Sequence, residues 1–395
     1  MKTIDKTSFT NKKVLIRVDF NVPLDDNKSV TDNTRIIAAK PTIGKVLADG
    51  GSCVLMSHLG RPKGVDDNLS LRHIVAEIEK VLGVQVQFSN KTIGREAEQM
   101  ANALQPGQVM LLENLRFYDE ETKGDEQFAN ALSRLADCYI NDAFGTAHRA
   151  HASTTIVAQF FPKAKYFGFL LAQEIHAIDR VMSTGEKPVL AVLGGAKVSS
   201  KITIIENILD KVDHLIIGGG MSFTFAKAMG GQIGNSICED DKQELALSIL
   251  RIAKEKGVQI HLPTDVVAGD RFSNEANKQI FPIDHIPDGW EGMDAGPESV
   301  LAFREVVLQS KTILWNGPLG VFEFSHFSQG TIALGEAISA STKKGAFSLV
   351  GGGDSVAAVK QFNMENEVSY VSTGGGAMLE SLEGKTLPGI AAIMA

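Results

Sequence analysis

Between Gly168 and Met182 the apolar residues Phe169, Leu170, Leu171, Ile175, Ile178, Val181 and Met182 recur at helical spacing, so a helix is expected over 168–183. Before it, short apolar runs alternate with amphipathic ones. Val14–Phe20, broken only by Arg17 and Asp19, predicts a strand, as do Ser52–Ser57, Val84–Phe88, Val109–Leu112 and Cys138–Asn141. Helices are expected after Asp32-Asn33 and over Leu71–Leu82, Arg95–Leu104 and Glu126–Ala136. Beyond 183 the alternation continues with glycine turns. Val189–Leu193 runs into Gly194-Gly195-Ala196-Lys197 and a helix through Val212; His214–Ile217 runs into Gly218-Gly219-Gly220 and another helix. Thr312–Trp315, Phe347–Val350 and Val368–Ser372 precede the turns at 316–320, 351–354 and 373–376.

Strand, glycine turn and helix in alternation point to parallel sheets covered by helices on both faces. The expected class is α/β, with two doubly wound, Rossmann-like parallel-sheet domains joined by the 168–183 helix and a cleft between them. Residues 1–167 form the first domain and 184–379 the second. At 395 residues the chain exceeds the roughly 250–300 at which one hydrophobic core stops growing. The two sides also differ in composition. Residues 1–167 carry 21 Lys+Arg against 20 Asp+Glu, residues 168–395 carry 18 against 27, and 28 of the 38 glycines lie from Gly168 onward.

The net charge of −8 argues against general nucleic-acid affinity. Cys53, Cys138 and Cys238 stand alone, with no C-x-x-C pair, which suits a reducing compartment and speaks against a disulfide framework or a thiolate zinc site. The opening MKTIDKTSFTNKK lacks an apolar core, and no apolar run approaches the roughly 20 residues of a membrane helix. A cytoplasmic protein without membrane or nucleic-acid partners is expected, acting as a monomer.

Ligands of open parallel sheets bind beyond the carboxyl ends of the strands. On the first side those loops hold Asp19, Asn21, His58, Arg61, Arg116, His148, Arg149 and His151, with Arg35 at a helix start. Each arginine alone could be a solvated charge. Arg61, Arg116 and Arg149, each just past a different strand, suggest a site for a multiply charged anion, because a guanidinium offers a forked pair of donors. His58 and His151 suit anion contacts; His148 could be site or core. On the second side the glycine turns would let backbone N–H groups approach a nucleotide triphosphate at helix N-termini. Lys197 and Lys201, four apart, are expected on one helix face. Neither a Walker A loop nor a G-x-G-x-x-G fingerprint occurs. A single glycine triplet could equally serve close packing. Asp354 could hold Mg²⁺ or cap a helix, and Glu323 could accept a ribose hydroxyl.

Eight blocks in order resemble the phosphoglycerate kinase family: RVDFNVP at 17–23, SHLGRP at 57–62, ENLRF at 113–117, NDAFGTAHRAHAS at 141–153, GGAKVSSK at 194–201, WNGPLGVFE at 315–323, GGGDS at 351–355 and STGGGA at 372–377. Ser200 and Leu319 depart from the family pattern beside functional positions. The resemblance implies reversible phosphoryl transfer between 1,3-bisphosphoglycerate and MgADP, giving 3-phosphoglycerate and MgATP. It implies 3-phosphoglycerate binding by Asp19, Asn21, Arg35, His58, Arg61, Arg116 and Arg149. It implies nucleotide binding by Gly194, Gly195, Gly218, Gly219, Lys201, Asn316, Pro318, Glu323, Gly351, Gly352, Gly353 and Asp354, with Mg²⁺ on Asp354. Arg35, Lys197 and Lys201 would hold the transferred group. The last residues, about 380–395, would return to the first domain, and hinge closure would unite the two. Two rivals stand beside this: a nicotinamide-dependent dehydrogenase, for which the fingerprint is missing, and a hinged binding protein without catalysis.

Overall fold

The computed structural model describes residues 2–395, and the chain divides into two compact units. One comprises Met1–Ile175 with Thr386–Ala395, the other His176–Lys385, so the division falls within the helix Phe169–Met182.

The first unit is built on six strands: β1 (Lys13–Arg17), β2 (Ser52–Met56), β3 (Val86–Phe88), β4 (Val109–Leu111), β5 (Cys138–Asn141) and β6 (Lys165–Phe167). They lie in the order β3-β4-β2-β1-β5-β6, every pairing parallel. The interior strands β2, β4 and β5 are buried at every residue, which is why they read as unbroken apolar runs rather than alternating ones. Helices Thr34–Ala48, Val75–Leu82, Arg95–Ala103 and Glu126–Ser133 make the crossovers. From β1 the chain winds outward on one side and then crosses to β5 on the other, so the carboxyl ends of β1 and β5 flank the switch point where such sheets bind ligands. The helix Pro388–Met394 completes this unit, with Gly389 N donating to Ala147 O at 2.9 Å.

The second unit contains β7 (Val189–Leu193), β8 (His214–Ile217), β9 (Gln232–Ile233), β10 (Gln259–His261), β11 (Asp265–Gly269), β12 (Lys278–Pro282), β13 (His285–Ile286), β14 (Glu291–Ala295), β15 (Thr312–Asn316), β16 (Phe347–Val350) and β17 (Tyr370–Val371). Its main sheet runs β10-β8-β7-β15-β16-β17, again parallel throughout, with the switch point between β7 and β15. Trp315 of β15 is fully buried and donates its indole N–H to Gly317 O at 2.9 Å.

Several expectations change at their edges. The first strand stops at Arg17, because beyond it the backbone turns to side chains: Phe20 N donates to Ser57 Oγ. The helix read from Leu71 opens as a 3₁₀ turn, Leu71–Ile74, capped by Ser70. The segment 194–201 is not helical. Ser199 N donates to Glu239 rather than to a carbonyl one turn back, and the helix starts only at Ile202 with Lys201 as its N-cap. Lys197 and Lys201 therefore do not share a helix face. The stretch 230–310 holds elements that the apolar pattern does not announce: the antiparallel sheet β12-β11-β14 and the short pair β13-β9.

The helix Phe169–Met182 begins under a tight constraint. Leu171 N donates to the buried Asp142 carboxylate at 3.2 Å, and Phe169 N to Thr42 Oγ1 at 2.9 Å. A Cβ on Gly168 would lie 2.1 Å from Asp142 Oδ1; one on Gly185 would lie 2.4 Å from Arg180 O. Neither glycine adopts a positive φ, so close approach rather than torsional freedom requires them. Gly168→Ala is therefore expected to destabilise the protein by about 1–3 kcal/mol in chemical denaturation, the usual cost of overpacking. Gly44→Ala, in the helix Thr34–Ala48 with nothing within 4 Å of the added methyl, should stabilise it by up to about 1 kcal/mol.

Candidate functional site

In the first unit the loops after β1, β2, β4 and β5 are fastened to one another. Asn114, fully buried after β4, accepts from Leu59 N at 3.2 Å and Arg116 N at 3.0 Å, and donates to Leu59 O and Leu69 O, both at 2.8 Å. Glu113 accepts from Ser70 Oγ, Leu71 N and Asn114 N. Asn21 Oδ1 accepts from Gly60 N at 2.8 Å, and Gly60 O accepts from Arg116 at 2.7 Å. Losing a partner would leave buried polar groups unpaired, so these bonds fix loop positions more firmly than their net worth suggests.

These loops gather the expected anion-binding residues. Arg35 pairs with Asp19, whose other oxygen lies 4.0 Å from His58 Nδ1. Arg61, Arg116 and Arg149 line one cavity of about 290 Å³ with Pro62, Tyr118, Asp119 and Thr122. Arg149 Nε donates to His148 Nε2 at 3.2 Å. Together with burial, the crowding of cations registers on Arg116, His58 and His151. Burial pushes the Arg116 guanidinium down to about 10, and Arg149 and Arg17 add to the push while Glu121 opposes it. Burial and then Arg17, Arg116, Arg35 and Arg149 hold His58 well below its ordinary value, and burial with the same kind of neighbours takes His151 down to about 4. Guanidiniums packed this closely have the charge and the forked donors that suit an anion.

In the second unit the turns after β7 and β15 touch. Gly194 N donates to Asn316 O at 3.0 Å, and a Cβ on Gly194 would lie 2.0 Å from Pro318 O. Gly195 has φ +114° and Gly317 +117°, values that a side chain rarely tolerates. Asn316 is buried; its amide donates to Gly351 O at 2.7 Å and its oxygen accepts from Lys201. Burial lowers the Lys201 ammonium, and Asp354 pulls it back up. A cavity of about 360 Å³ opens beside these turns, lined by Gly195, Gly219, Phe223, Ile237, Gly292, Pro318, Leu319 and Val321, with Glu323 and Asp354 on its walls. An apolar slot with a few polar groups at its edge has the size and character of a small-molecule site.

Gly194, Gly218, Lys201, Asn316, Gly351, Gly352 and Gly353 do not line this cavity. Asn316 and Lys201 are tied to its neighbourhood through the bonds above, whereas Lys197 is solvent-exposed. Gly218 serves packing: a Cβ there would lie 2.3 Å from Leu319 Cδ2. Asp354 is not a helix cap, since Gly352 precedes the helix Gly353–Gln361 and Asp354 stands exposed in its first turn. Among the described residues no group of three or more His, Cys, Asp or Glu could form a metal cluster, and no helix is long and apolar enough to cross a membrane.

Sequence reasoning missed residues that hold the site from beneath. Arg17 is fully buried at the end of β1 and touches His58, Ser153 and Val18 O. A lone Arg inside an apolar strand was the available signal, because a buried charge must be paired. Glu121 and Ser153, also buried, lie far along the chain, and although Ser153 closes the 141–153 block, nothing local links either to Arg17. In the second unit Phe223, Ile237 and Gly292 come from segments with no motif.

The phosphoglycerate kinase family model matches residues 4–385. The phosphoglycerate kinase of Porphyromonas gingivalis is 54% identical over 99% of both chains, and a cytosolic phosphoglycerate kinase of Arabidopsis thaliana is 50% identical over 99% of this chain and 97% of its own. The solved phosphoglycerate kinase of Coxiella burnetii superposes with a TM-score of 0.92 at 41% identity, covering 99% of this chain and 98% of its own.

The histidines give a pH dependence with a definite sign. His151 has a folded pKa of about 4 against an ordinary 6.5, so the folded protein binds fewer protons than the unfolded one between those values. The stability it contributes is present above pH 6.5 and lost as pH falls toward 4; His58 acts in the same direction. In denaturation curves taken across that window, His151→Gln should lose less stability than the unaltered protein.

Proposed function

The chain belongs to the phosphoglycerate kinase family, and we propose that it divides the family's reaction between its two units, the phosphorylated acceptor on the first and the nucleotide on the second. It is a phosphotransferase of glycolysis, moving a phosphoryl group reversibly between 1,3-bisphosphoglycerate and ADP to give 3-phosphoglycerate and ATP. The dehydrogenase and non-catalytic readings fall with that membership.

The observation that carries the division is the contrast between the two loop clusters. One presents Arg61, Arg116 and Arg149 around a single cavity; the other presents glycine backbone around an apolar slot. A sugar-acid phosphate is nearly all charge and suits the first. A nucleotide has an apolar base and suits the second. Asp19, Asn21, Arg35, His58, Arg61, Arg116 and Arg149 would hold 3-phosphoglycerate. Gly194, Gly195, Gly218, Gly219, Lys201, Asn316, Pro318, Glu323 and Gly351 to Asp354 would serve the nucleotide, with the base against Phe223, Ile237 and Leu319.

The acceptor is a carboxylate, already deprotonated at pH 7, so no general base is required. What remains is alignment and neutralisation of the charge on the moving group, the usual content of phosphoryl transfer. Arg35, Lys197 and Lys201 would supply cations there. Magnesium fits the donor set: the exposed Asp354 carboxylate on the wall of the nucleotide cavity suits a cation that takes its other ligands from water and phosphate oxygens. When bound, it would neutralise phosphate charge and orient the terminal group. Because each substrate has its own unit, the reacting atoms meet at about 3–3.5 Å only if the units close on one another. The protein would act as a monomer in the cytoplasm.

A coupled assay of 3-phosphoglycerate-dependent ATP consumption, with and without Mg²⁺, tests the reading directly; activity that ignores either would overturn it. Arg35→Ala and Lys197→Ala should each lower turnover by about 10²–10³-fold while changing substrate KM far less, since they act on charge that develops during transfer. Asp354→Asn should weaken MgATP binding in calorimetry and leave 3-phosphoglycerate binding intact. Solution scattering should find the ternary complex more compact than either binary complex.

A further inference from the structure

Beneath the arginine loops of the first unit runs a hydrogen-bond chain whose direction is fixed at each link. Glu121, fully buried, accepts from Ser153 Oγ at 2.6 Å and from Ser153 N at 2.9 Å. With its proton committed there, Ser153 Oγ accepts from Arg17 Nε at 2.8 Å. Arg17 also donates to Val18 O, and its remaining terminal nitrogen faces His58 Nδ1 at 3.2 Å. A guanidinium carries donors only and keeps its proton. His58 Nδ1 must therefore offer its lone pair, and a neutral imidazole that accepts at Nδ1 carries its hydrogen on Nε2.

We propose that Arg17 is a positioning residue that fixes His58 as the neutral Nε2–H tautomer, so that the ring meets an oxygen of the phosphorylated acceptor as a hydrogen-bond donor and not as a cation. The role rests on the assignment of that acceptor to the first unit. The charged groups that face the ring are Arg17, Asp19, Arg35, Arg116 and Arg149. Only Asp19 would favour a proton on Nδ1, and it lies 4.0 Å away, beyond hydrogen-bond reach, with its other oxygen taken by Arg35. Burial and the guanidiniums both keep the ring neutral. The division of labour follows. Arg17 spends its charge inward, through Ser153 toward Glu121, and orients His58. Arg61, Arg116 and Arg149 supply the pocket's charge.

Long-range ¹H–¹⁵N spectra of the full-length protein at neutral pH read the tautomer, with His58 assigned by its loss in His58→Gln. One pyridine-like Nδ1 and one protonated Nε2, the latter moved by added 3-phosphoglycerate, is the expected result. A proton on Nδ1, or on both nitrogens, would overturn the proposal. If 3-phosphoglycerate shifts the amides of Asn21, Gly60 and Arg149 but not the ring, the donor role fails alone; if it shifts none of them, the site assignment beneath it fails. Glutamine extends its amide nitrogen to the position of Nε2, whereas asparagine reaches that of Nδ1. His58→Gln should therefore raise KM for 3-phosphoglycerate by less than about three-fold and His58→Asn by about ten-fold, the worth of one hydrogen bond to a charged group. Equal losses would count against the Nε2 donor. Arg17→Met should show mixed tautomers and a raised KM, and a pure Nε2–H signal in it would remove Arg17 from the role; should that variant not fold, the unaltered protein's spectrum still decides.

Discussion

A parallel sheet covered on both faces leaves polar side chains one place to stand, the ends of its strands. Strands β2, β4, β5, β7, β15 and β16 are buried at every residue, so their middles admit almost no chemistry. At their carboxyl ends the polar groups arrive together, many of them buried: Arg17, Asn114, Asn141, Asp142, Asn316. Each needs partners where water cannot supply them. The loops supply most of these partners to one another, and the networks that result are stiff because slack would leave further donors or acceptors unpaired.

Two different kinds of loop cluster grow from that constraint. The first unit uses side chains: guanidiniums close enough that, with burial, they lower Arg116 and keep the nearby imidazoles neutral. The second uses backbone, with turns after β7 and β15 so close that Gly194 and Pro318 leave no room for a Cβ between them. Side-chain charge discriminates by number and geometry of oxygens, which suits a small acid. Backbone N–H groups and an apolar slot suit a ligand whose bulk is a flat base.

Much of this was legible in the chain. Unbroken apolar runs followed by glycine announced parallel strands, and β5, β7, β8 and β16 fall on the residues so read. Arg61, Arg116 and Arg149 could be grouped because each follows a different strand. What escaped depends on distance in the fold. Lys197 and Lys201 looked like helix neighbours, but Glu239, far along the chain, takes the Ser199 N–H and delays the helix. Ser153 closes the 141–153 block and Glu121 lies in no block, but nothing local ties either to Arg17, and only the tertiary contacts through Ser153 give them meaning. The β11, β12 and β14 sheet carries exposed and half-buried positions mixed without a clean period, as in Lys278–Pro282, so no pattern pointed to it.

The first unit is not continuous in sequence: Thr386–Ala395 belong to it, and Gly389 binds back to Ala147. The second unit is one unbroken stretch, His176–Lys385. Domains commonly fold in the order in which they are synthesised, the N-terminal one first. Here the ribosome delivers the whole of the second unit before the helix Pro388–Met394 that finishes the first. Until then the earlier-made half lacks the segment that carries the Gly389–Ala147 bond, whereas the later-made half has all its residues. Assembly order in the cell is therefore expected to run against the order of the genetic message.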